Sequence, residues 1–394
     1  MKASGMKLVV GVDASRNRSG GARVHLTGLL EGADPTDFGI DRVHVWAYKE
    51  LLRALPDSEW LVKHNPPQLQ KSLLRQLWWQ RTALPREARS LGCNILLNTD
   101  AGTVCRFRPS VVMSRDMLSY EPGEMQRYAY SRSWLRLLAL RYVQASSLRN
   151  ADGAVFLTRY AARVIQQVTG PLHRVATIPH GVSEAFRRPP EVVVGAPSDR
   201  PIRCLYVSPI DLYKHQWVVV HAFAELRRRG YDVTLTLAGN SDGPAAKLLD
   251  REIQASDPAG EFVRQLGFID PADLPSVYAA ADIFVFASSC ENMPNTLVEA
   301  MASGLPIACA RRGPMPEVLQ DGGVYFDPED PSSIVTALET LLRDPARRRD
   351  LARRSSELAR QFSWKRCAEE TWSFVADTAG LPVSANHVPA QQLG

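Results

Sequence analysis

An α/β fold, built as two Rossmann-like domains facing each other across a cleft, is predicted by three observations. Strand-like and helix-like segments alternate along almost the whole chain, the pattern of parallel sheets joined by helical crossovers. The 394 residues exceed what one ordinary core accommodates, so two domains of about 150–200 residues each are expected. Around Arg187–Pro201 the composition turns to Pro, Gly, Ser and charge, which marks a linker between two such patterns.

The first pattern opens with a strand at Leu8–Val12, a polar loop Asp13–Gly21 and a helix from about Ala22 to Leu30. Short apolar runs predict strands at Val43–Ala47, Trp60–His64, Asn94–Asn98, Ser110–Ser114, Ala154–Thr158 and Val175–Pro179. Helices are expected at Pro67–Thr82, Gly123–Asn150 and Arg159–Thr169. The second pattern begins with a strand at Arg203–Ser208 and a helix near Trp217–Arg229. It continues through strand Val233–Ala238, helix Ala245–Ala255, a segment at Phe262–Ile269 and helix Leu274–Ala281. Strands Asp282–Ser288, Pro306–Ala310 and Val324–Phe326, with helices Ser332–Leu342, Pro345–Arg360 and one ending near Asp377, complete it. The expected division is 1–186, a linker 187–201, 202–361, a final helix 362–378 that packs back on the first domain, and a disordered tail 379–394.

Composition narrows the function classes. Apolar content of 45% and charged content of 23% are those of a globular chain. A formal net charge of +5 is small for this length and argues against nucleic-acid binding, while the Arg excess fits anionic substrates or an anionic lipid surface. The six cysteines are scattered without a C-x-x-C pair, which reads as reduced thiols and no zinc site. No signal peptide is read at Met1–Gly5, and no run approaches the roughly 18 apolar residues of a membrane span, so the default address is the cytoplasm.

Chemistry concentrates at Cys290–Gly304, where a strand runs into a loop and then a helix, the place where α/β folds hold phosphorylated ligands. Thr296-Leu297-Val298-Glu299 also fits a helix capping box, in which Thr and Glu satisfy backbone N–H groups reciprocally. The functional alternative has the amides of Asn295, Thr296 and Leu297 on a diphosphate, Glu299 on ribose hydroxyls and Glu291 on a sugar beyond the phosphates. Pro294 lacks an N–H and adds none. Lys214, at the turn after the first strand of the second domain, is either an exposed lysine or a point charge for a leaving diphosphate. Gly20-Gly21 is either a plain tight turn or a close backbone approach to a phosphate or sugar.

Taken together, these features resemble the family 4 retaining glycosyltransferases, which have the two-domain GT-B fold. The likeness rests on Glu291 and Glu299 at the Glu-x7-Glu spacing followed by Ala300–Pro306. Lys214, Leu235–Asn240, Leu266–Phe268, Gly322–Phe326 and Phe362–Trp364 add to it, over about residues 203–375. Looser support comes from Gly20-Gly21, Val111–Asp116 and Ile178–Val182. The resemblance implies Glu299 on the ribose, Glu291 on the transferred sugar, Lys214 on the diphosphate and Gly267-Phe268 beside the base. It also implies retention of anomeric configuration, a nucleotide-diphosphate-sugar as co-substrate, no cofactor and no metal. The acceptor would be a glycan or lipid-linked glycan, in surface polysaccharide or lipopolysaccharide synthesis, at the inner face of the plasma membrane.

Three departures from the family stand out. Ser208-Pro209 occupies the place of a Gly-Arg pair, so one phosphate clamp is either missing or supplied elsewhere, with Arg311, Arg312 or Arg18 as candidates. Arg115-Asp116 replaces His-Asp, so Arg115 binds phosphate or an acceptor carboxylate, or pairs with Asp116 or another neighbour. Asn292-Met293-Pro294 replaces Gly-aromatic-Gly. A sugar-nucleotide-binding subunit without catalysis is therefore a second reading, and another GT-B enzyme such as a phosphorylase a third, although no lysine motif for a pyridoxal cofactor stands out. Helix Pro67–Thr82, with Trp78, Trp79, Lys71, Arg75 and Arg81, either packs on the first sheet or rests on an anionic membrane.

Overall fold

The computed structural model describes residues 7–18, 20–188, 200–241 and 243–380. Residues 189–199 of the expected linker and residues 381–394 of the expected tail lie outside them. The chain divides into two compact units. One comprises the described residues of Met1–Tyr120, Tyr128–Gly181 and Ser363–Gly394, and the other those of Glu121–Arg127 and Val182–Phe362.

The first unit is a seven-stranded sheet of β1 (Leu8–Asp13), β2 (Ile40–Trp46), β3 (Leu61–His64), β4 (Ile95–Asn98), β5 (Ser110–Ser114), β6 (Gly153–Phe156) and β7 (Val175–Thr177). Their order is β3-β2-β1-β4-β5-β6-β7, and every pairing is parallel. The second unit has six strands: β8 (Ile202–Val207), β9 (Val233–Ala238), β10 (Val263–Gly267), β11 (Ile283–Phe286), β12 (Ile307–Ala310) and β13 (Val324–Phe326). They run β10-β9-β8-β11-β12-β13, again parallel throughout. Both are doubly wound Rossmann-like orders, reversing direction between β1 and β4 and between β8 and β11. Strands covered on both faces need continuous apolar sequence, and Ile283-Phe284-Val285-Phe286 and Ile307-Ala308-Cys309-Ala310 are buried at every position.

Two long predicted helices are interrupted. Over 67–82 a 3-10 turn, Pro67–Gln70, is followed by extended Lys71 and a separate helix Leu73–Thr82. The Gln76 side chain stabilises the break by donating to the carbonyls of Leu69 and Lys71 at 3.2 and 2.7 Å. Over 123–150 a 3-10 turn, Glu124–Tyr128, ends before Tyr130, whose φ of 60° is left-handed. Ser131 then caps the helix Arg132–Asn150 by accepting from the Trp134 amide. The two tryptophans of the first helix also part company. Trp79 is buried and donates to Glu87, while Trp78 is exposed beside Leu73 and Leu74.

The last helix, Trp364–Thr378, packs on the first, Gly20–Gly32. Its leading indole lies so near Gly28 that a Cβ there would stand 2.3 Å from a ring carbon. Among the described residues, no helix is long and apolar enough to cross a membrane. All six cysteines are free thiols, and Cys105 alone among them is not fully buried.

Candidate functional site

In a doubly wound sheet, ligands bind beyond the carboxyl ends of the strands where the order reverses. In the second unit that point lies between β8 and β11. The turn after β8 carries Lys214 and the loop after β11 carries Glu291, and the Lys214 ammonium donates to Glu291 Oε1. Both side chains are largely buried. The ammonium also lies 5.0 Å from the centroid of Tyr213 and 5.7 Å from that of Phe286, an aromatic seat for a cation.

The helix after that loop is Asn295–Ala302, with Pro294 at its cap position and no side-chain cap. The capping-box alternative is therefore not realised. Thr296 and Glu299 both lie inside the helix, and Glu299 is engaged elsewhere: the Tyr278 hydroxyl lies 2.9 Å from its Oε2 and 3.1 Å from the Thr296 carbonyl. Burial pushes the Glu299 carboxyl up to about 7, against the weaker opposing pull of that hydroxyl. Of the three expected amides, Asn295 donates to the Met293 carbonyl at 3.0 Å and Leu297 to that of Pro294 at 3.1 Å. The Thr296 amide has no acceptor among the described residues, which leaves it for a ligand.

Gly267 ends the edge strand β10 with φ 67°, and its carbonyl accepts from Gly239 N at 2.8 Å. Phe268 follows with 68% of its surface exposed, a free aromatic face at the carboxyl edge of the sheet. Gly239 itself is obligatory, because a Cβ there would stand 2.1 Å from the Ser208 carbonyl oxygen. Arg311 stacks over Tyr325 at 4.8 Å and lines a shallow groove of about 570 Å³ with Arg347, Ser332 and Ser333. Arg312 is paired with Asp327 at 3.1 Å.

In the first unit the reversal lies between β1 and β4, and the loop after β1 is held rigidly there. Asp13 accepts from the Ser15 hydroxyl and the Gln80 amide, both at 2.6 Å. Asn17 is fully buried, and its Oδ1 accepts from Thr99 at 2.9 Å and from Arg115 at 2.8 Å. Arg115 has its ion-pair neighbour in Asp100, at 3.8 Å, rather than in Asp116, which accepts from the Leu118 amide and Gln144. The Nε and Nη1 of Arg115 are buried without a hydrogen-bond partner among the described residues, and burial pulls its pKa down. Arg18 is exposed, donating to the Leu69 carbonyl at 2.8 Å and lying over the Tyr48 ring. Gly20 and Gly21 open the helix Gly20–Gly32 and are exposed, and nothing crowds a Cβ at Gly20. His180 is buried, stacked 4.3 Å from His25. Among the described residues no cluster of His, Cys, Asp or Glu could hold a metal ion.

Tyr278, His215, Ser289 and Asp100 contact or adjoin the candidate residues and are not marked by the sequence pattern. Asp100 was accessible to pattern reading, since it follows β4 at the reversal point. Tyr278 reaches Glu299 from another helix, and nothing local in the sequence marks it.

Residues 192–358 match the family described as Glycosyl transferases group 1. The chain is 33% identical over 189 residues to D-inositol 3-phosphate glycosyltransferase of Corynebacterium diphtheriae, covering 46% of this chain and 44% of that one. It is 30% identical over 237 residues to GDP-mannose-dependent alpha-(1-6)-phosphatidylinositol monomannoside mannosyltransferase of Mycolicibacterium smegmatis, covering 56% and 60%. The chain thus spans less than two thirds of these curated relatives. Among solved structures, sucrose-phosphate synthase of Thermosynechococcus elongatus superposes with a TM-score of 0.73 at 19% identity, over 92% of this chain and 97% of that one. Anabaena HepE in complex with UDP-glucose superposes with a TM-score of 0.71 at 18% identity, over 95% and 99%. These likenesses establish the GT-B fold.

Proposed function

Given that the chain belongs, through residues 192–358, to the Glycosyl transferases group 1 family, we propose that it is a retaining glycosyltransferase. It moves a sugar from a nucleotide-diphosphate-sugar to a glycan or lipid-linked acceptor, in surface polysaccharide synthesis. The observation that carries this reading is the pairing of Lys214 with Glu291 at the β8/β11 reversal point, on the loop that leads into the helix carrying the unengaged Thr296 amide. Paired in this way, each charge neutralises the other. A bound donor exchanges those partners: Lys214 turns to the diphosphate and Glu291 to the transferred sugar. Negative charge developing on the departing diphosphate is met by the ammonium and the helix-terminal amide, which stabilises the transition state electrostatically. Glu299 accepts from the ribose hydroxyls, and Phe268 lies beside the base. In the first unit, Gly20-Gly21, Arg18 and Arg115 serve phosphate or an anionic acceptor, and Arg311 is a further candidate for phosphate.

Incubation with a panel of nucleotide sugars, UDP-glucose and GDP-mannose among them, tests the reading through release of nucleoside diphosphate with and without acceptor glycans. Acceptor-dependent turnover that is lost in Lys214→Ala and Glu299→Ala is expected. Donor binding without turnover on any acceptor would replace it with the non-catalytic subunit, a reading that Pro209 and Arg115 favour. If no nucleotide sugar raises the melting temperature, the proposal fails.

Contact with an anionic membrane surface is part of the same proposal. It is supported by Leu73, Leu74 and Trp78, which are exposed on one helix with Arg75 and Arg81, with Lys71 exposed just before it.

A further inference from the structure

The geometry points to a buried positioning relay, Glu124–Ser289–His215, that fixes Lys214 and Glu291 relative to one another; its catalytic meaning rests on the proposed transferase reading. His215 directly follows Lys214, and Ser289 stands two residues before Glu291. The two loops that carry the charged pair are therefore clamped where His215 Nε2 meets Ser289 Oγ at 2.9 Å. A second tie, Ser289 N to the Tyr213 carbonyl at 2.8 Å, closes the clamp on the other side of Lys214. Ser289 Oγ reaches on to Glu124 Oε1 at 2.7 Å. Glu124 is held in turn by Arg127 Nε at 2.8 Å, and Arg127 Nη2 donates to Glu329 at 2.9 Å. Glu124 and Arg127 belong to the short segment that groups with the second unit although 165 residues separate Glu124 from Ser289.

Proton counting fixes the direction of the relay. Ser289 has one hydroxyl hydrogen and three possible acceptors in range, the Glu124 carboxylate at 2.7 Å, an unprotonated His215 Nε2 at 2.9 Å and the Tyr213 carbonyl at 3.2 Å. The charged and nearest acceptor takes it. The serine lone pairs then face His215, whose Nε2 must carry the proton. Burial, with Arg127 next, pulls the His215 pKa down to about 4, so the ring is a neutral donor at pH 7.

The backbone adds an independent observation. His215 has φ 53° and ψ 30°, a left-handed conformation that strains a residue with a Cβ and that glycine adopts freely. The ring's burial, 1% exposed, and its hydrogen bond to Ser289 are what the strained backbone at this place sets in position.

Two variants separate the roles of ring and backbone. His215→Gly relieves the strain and deletes the donor. His215→Gln keeps the strain and places its amide nitrogen near the position of Nε2. The relay predicts that His215→Gly, in which relief of the strain offsets only part of the cavity left by the buried ring, still folds yet loses about 10²-fold in kcat, with KM for the nucleotide sugar moving by less than about threefold. His215→Gln keeps roughly tenfold more turnover than His215→Gly. A merely structural role predicts the reverse ranking, and that ranking would overturn the relay. Ring-nitrogen NMR of histidine-labelled protein supplies a readout independent of turnover. The signal lost in His215→Gln should belong to a neutral Nε2–H ring at pH 7, and a Nδ1–H or protonated ring would overturn the relay. Wild-type protein that turns over no nucleotide sugar defeats the transferase reading alone, and the NMR signal then decides the relay.

Discussion

Replacing Glu299 by glutamine should stabilise the empty protein while weakening its hold on a nucleotide. The carboxyl ordinarily titrates at 4.5 and is pushed up to about 7 in the folded chain. The folded state therefore holds a proton that the unfolded chain releases. Stability is full below pH 4.5 and is lost as the pH rises through 7. Keeping this carboxylate ionised costs the folded protein a ceiling of roughly 3 kcal/mol at pH 8, and under about 1 kcal/mol at pH 5. Glutamine is neutral throughout and still accepts from the Tyr278 hydroxyl. Thermal melting from pH 5 to 8 measures the difference, at about 2–4 °C for each kcal/mol in a unit of this size. The same carboxylate is the acceptor proposed for ribose hydroxyls, which favour its ionised form. Nucleoside diphosphate binding by wild type, taken as a ratio to Glu299→Gln, should therefore rise about tenfold from pH 6 to 8. The ratio cancels the titration of the phosphates themselves. A variant no more stable than wild type at pH 8, or a stability difference that fails to shrink at pH 5, would refute this account of Glu299.

Lys214→Met and Glu291→Gln each leave a largely buried charge without its partner and should cost roughly 3 kcal/mol singly, with the double variant recovering part of the loss in a urea-denaturation cycle; strictly additive losses contradict the pairing. Gly28→Ala drives a methyl into the Trp364 indole and should destabilise by about 1–3 kcal/mol, a loss reduced when Trp364→Leu is combined with it. Leu74 and Trp78 are 78% and 64% exposed. Replacing both by serine should leave melting unchanged and lower sedimentation with anionic vesicles by about tenfold, and unchanged binding removes the membrane contact from the proposal.

Much of the second unit could be read directly from its residues. Val233–Ala238 and Val324–Phe326 have the bounds their residues predict: Val233, Leu235 and Leu237 are buried while Thr234 and Thr236 between them are partly exposed, and Val324 and Phe326 are buried on either side of a partly exposed Tyr325, the period-two pattern of a strand. Helix ends set by side chains from elsewhere could not be read this way. The break at Lys71 depends on Gln76 folding back over it, and the break at Tyr130 on a left-handed residue that is not glycine. The site divides similarly. The spacing of Glu291 and Glu299 is local and visible, whereas the partner of Glu299 is a tyrosine 21 residues earlier on another helix. Glu124 falls within a stretch that reads as an ordinary helix of the first domain, so no local pattern carries it to Ser289. Arg115 invited pairing with the adjacent Asp116, and the sheet order brings Asp100 to it instead.

The segment Glu121–Arg127 and the final helix mean that the chain passes between its two units four times. Neither unit is a continuous stretch of sequence, so no single crossover between two genes of this kind exchanges one whole. A transplanted second unit limited to 192–358 would arrive without Glu124 and Arg127. The parent's own copy of 121–127 would then have to dock against a foreign serine and histidine. Inheritance of the proposed donor site by recombination is thereby constrained to partners whose short crossing segments are mutually compatible, and a compatible seven-residue graft is the smallest change that would lift the constraint.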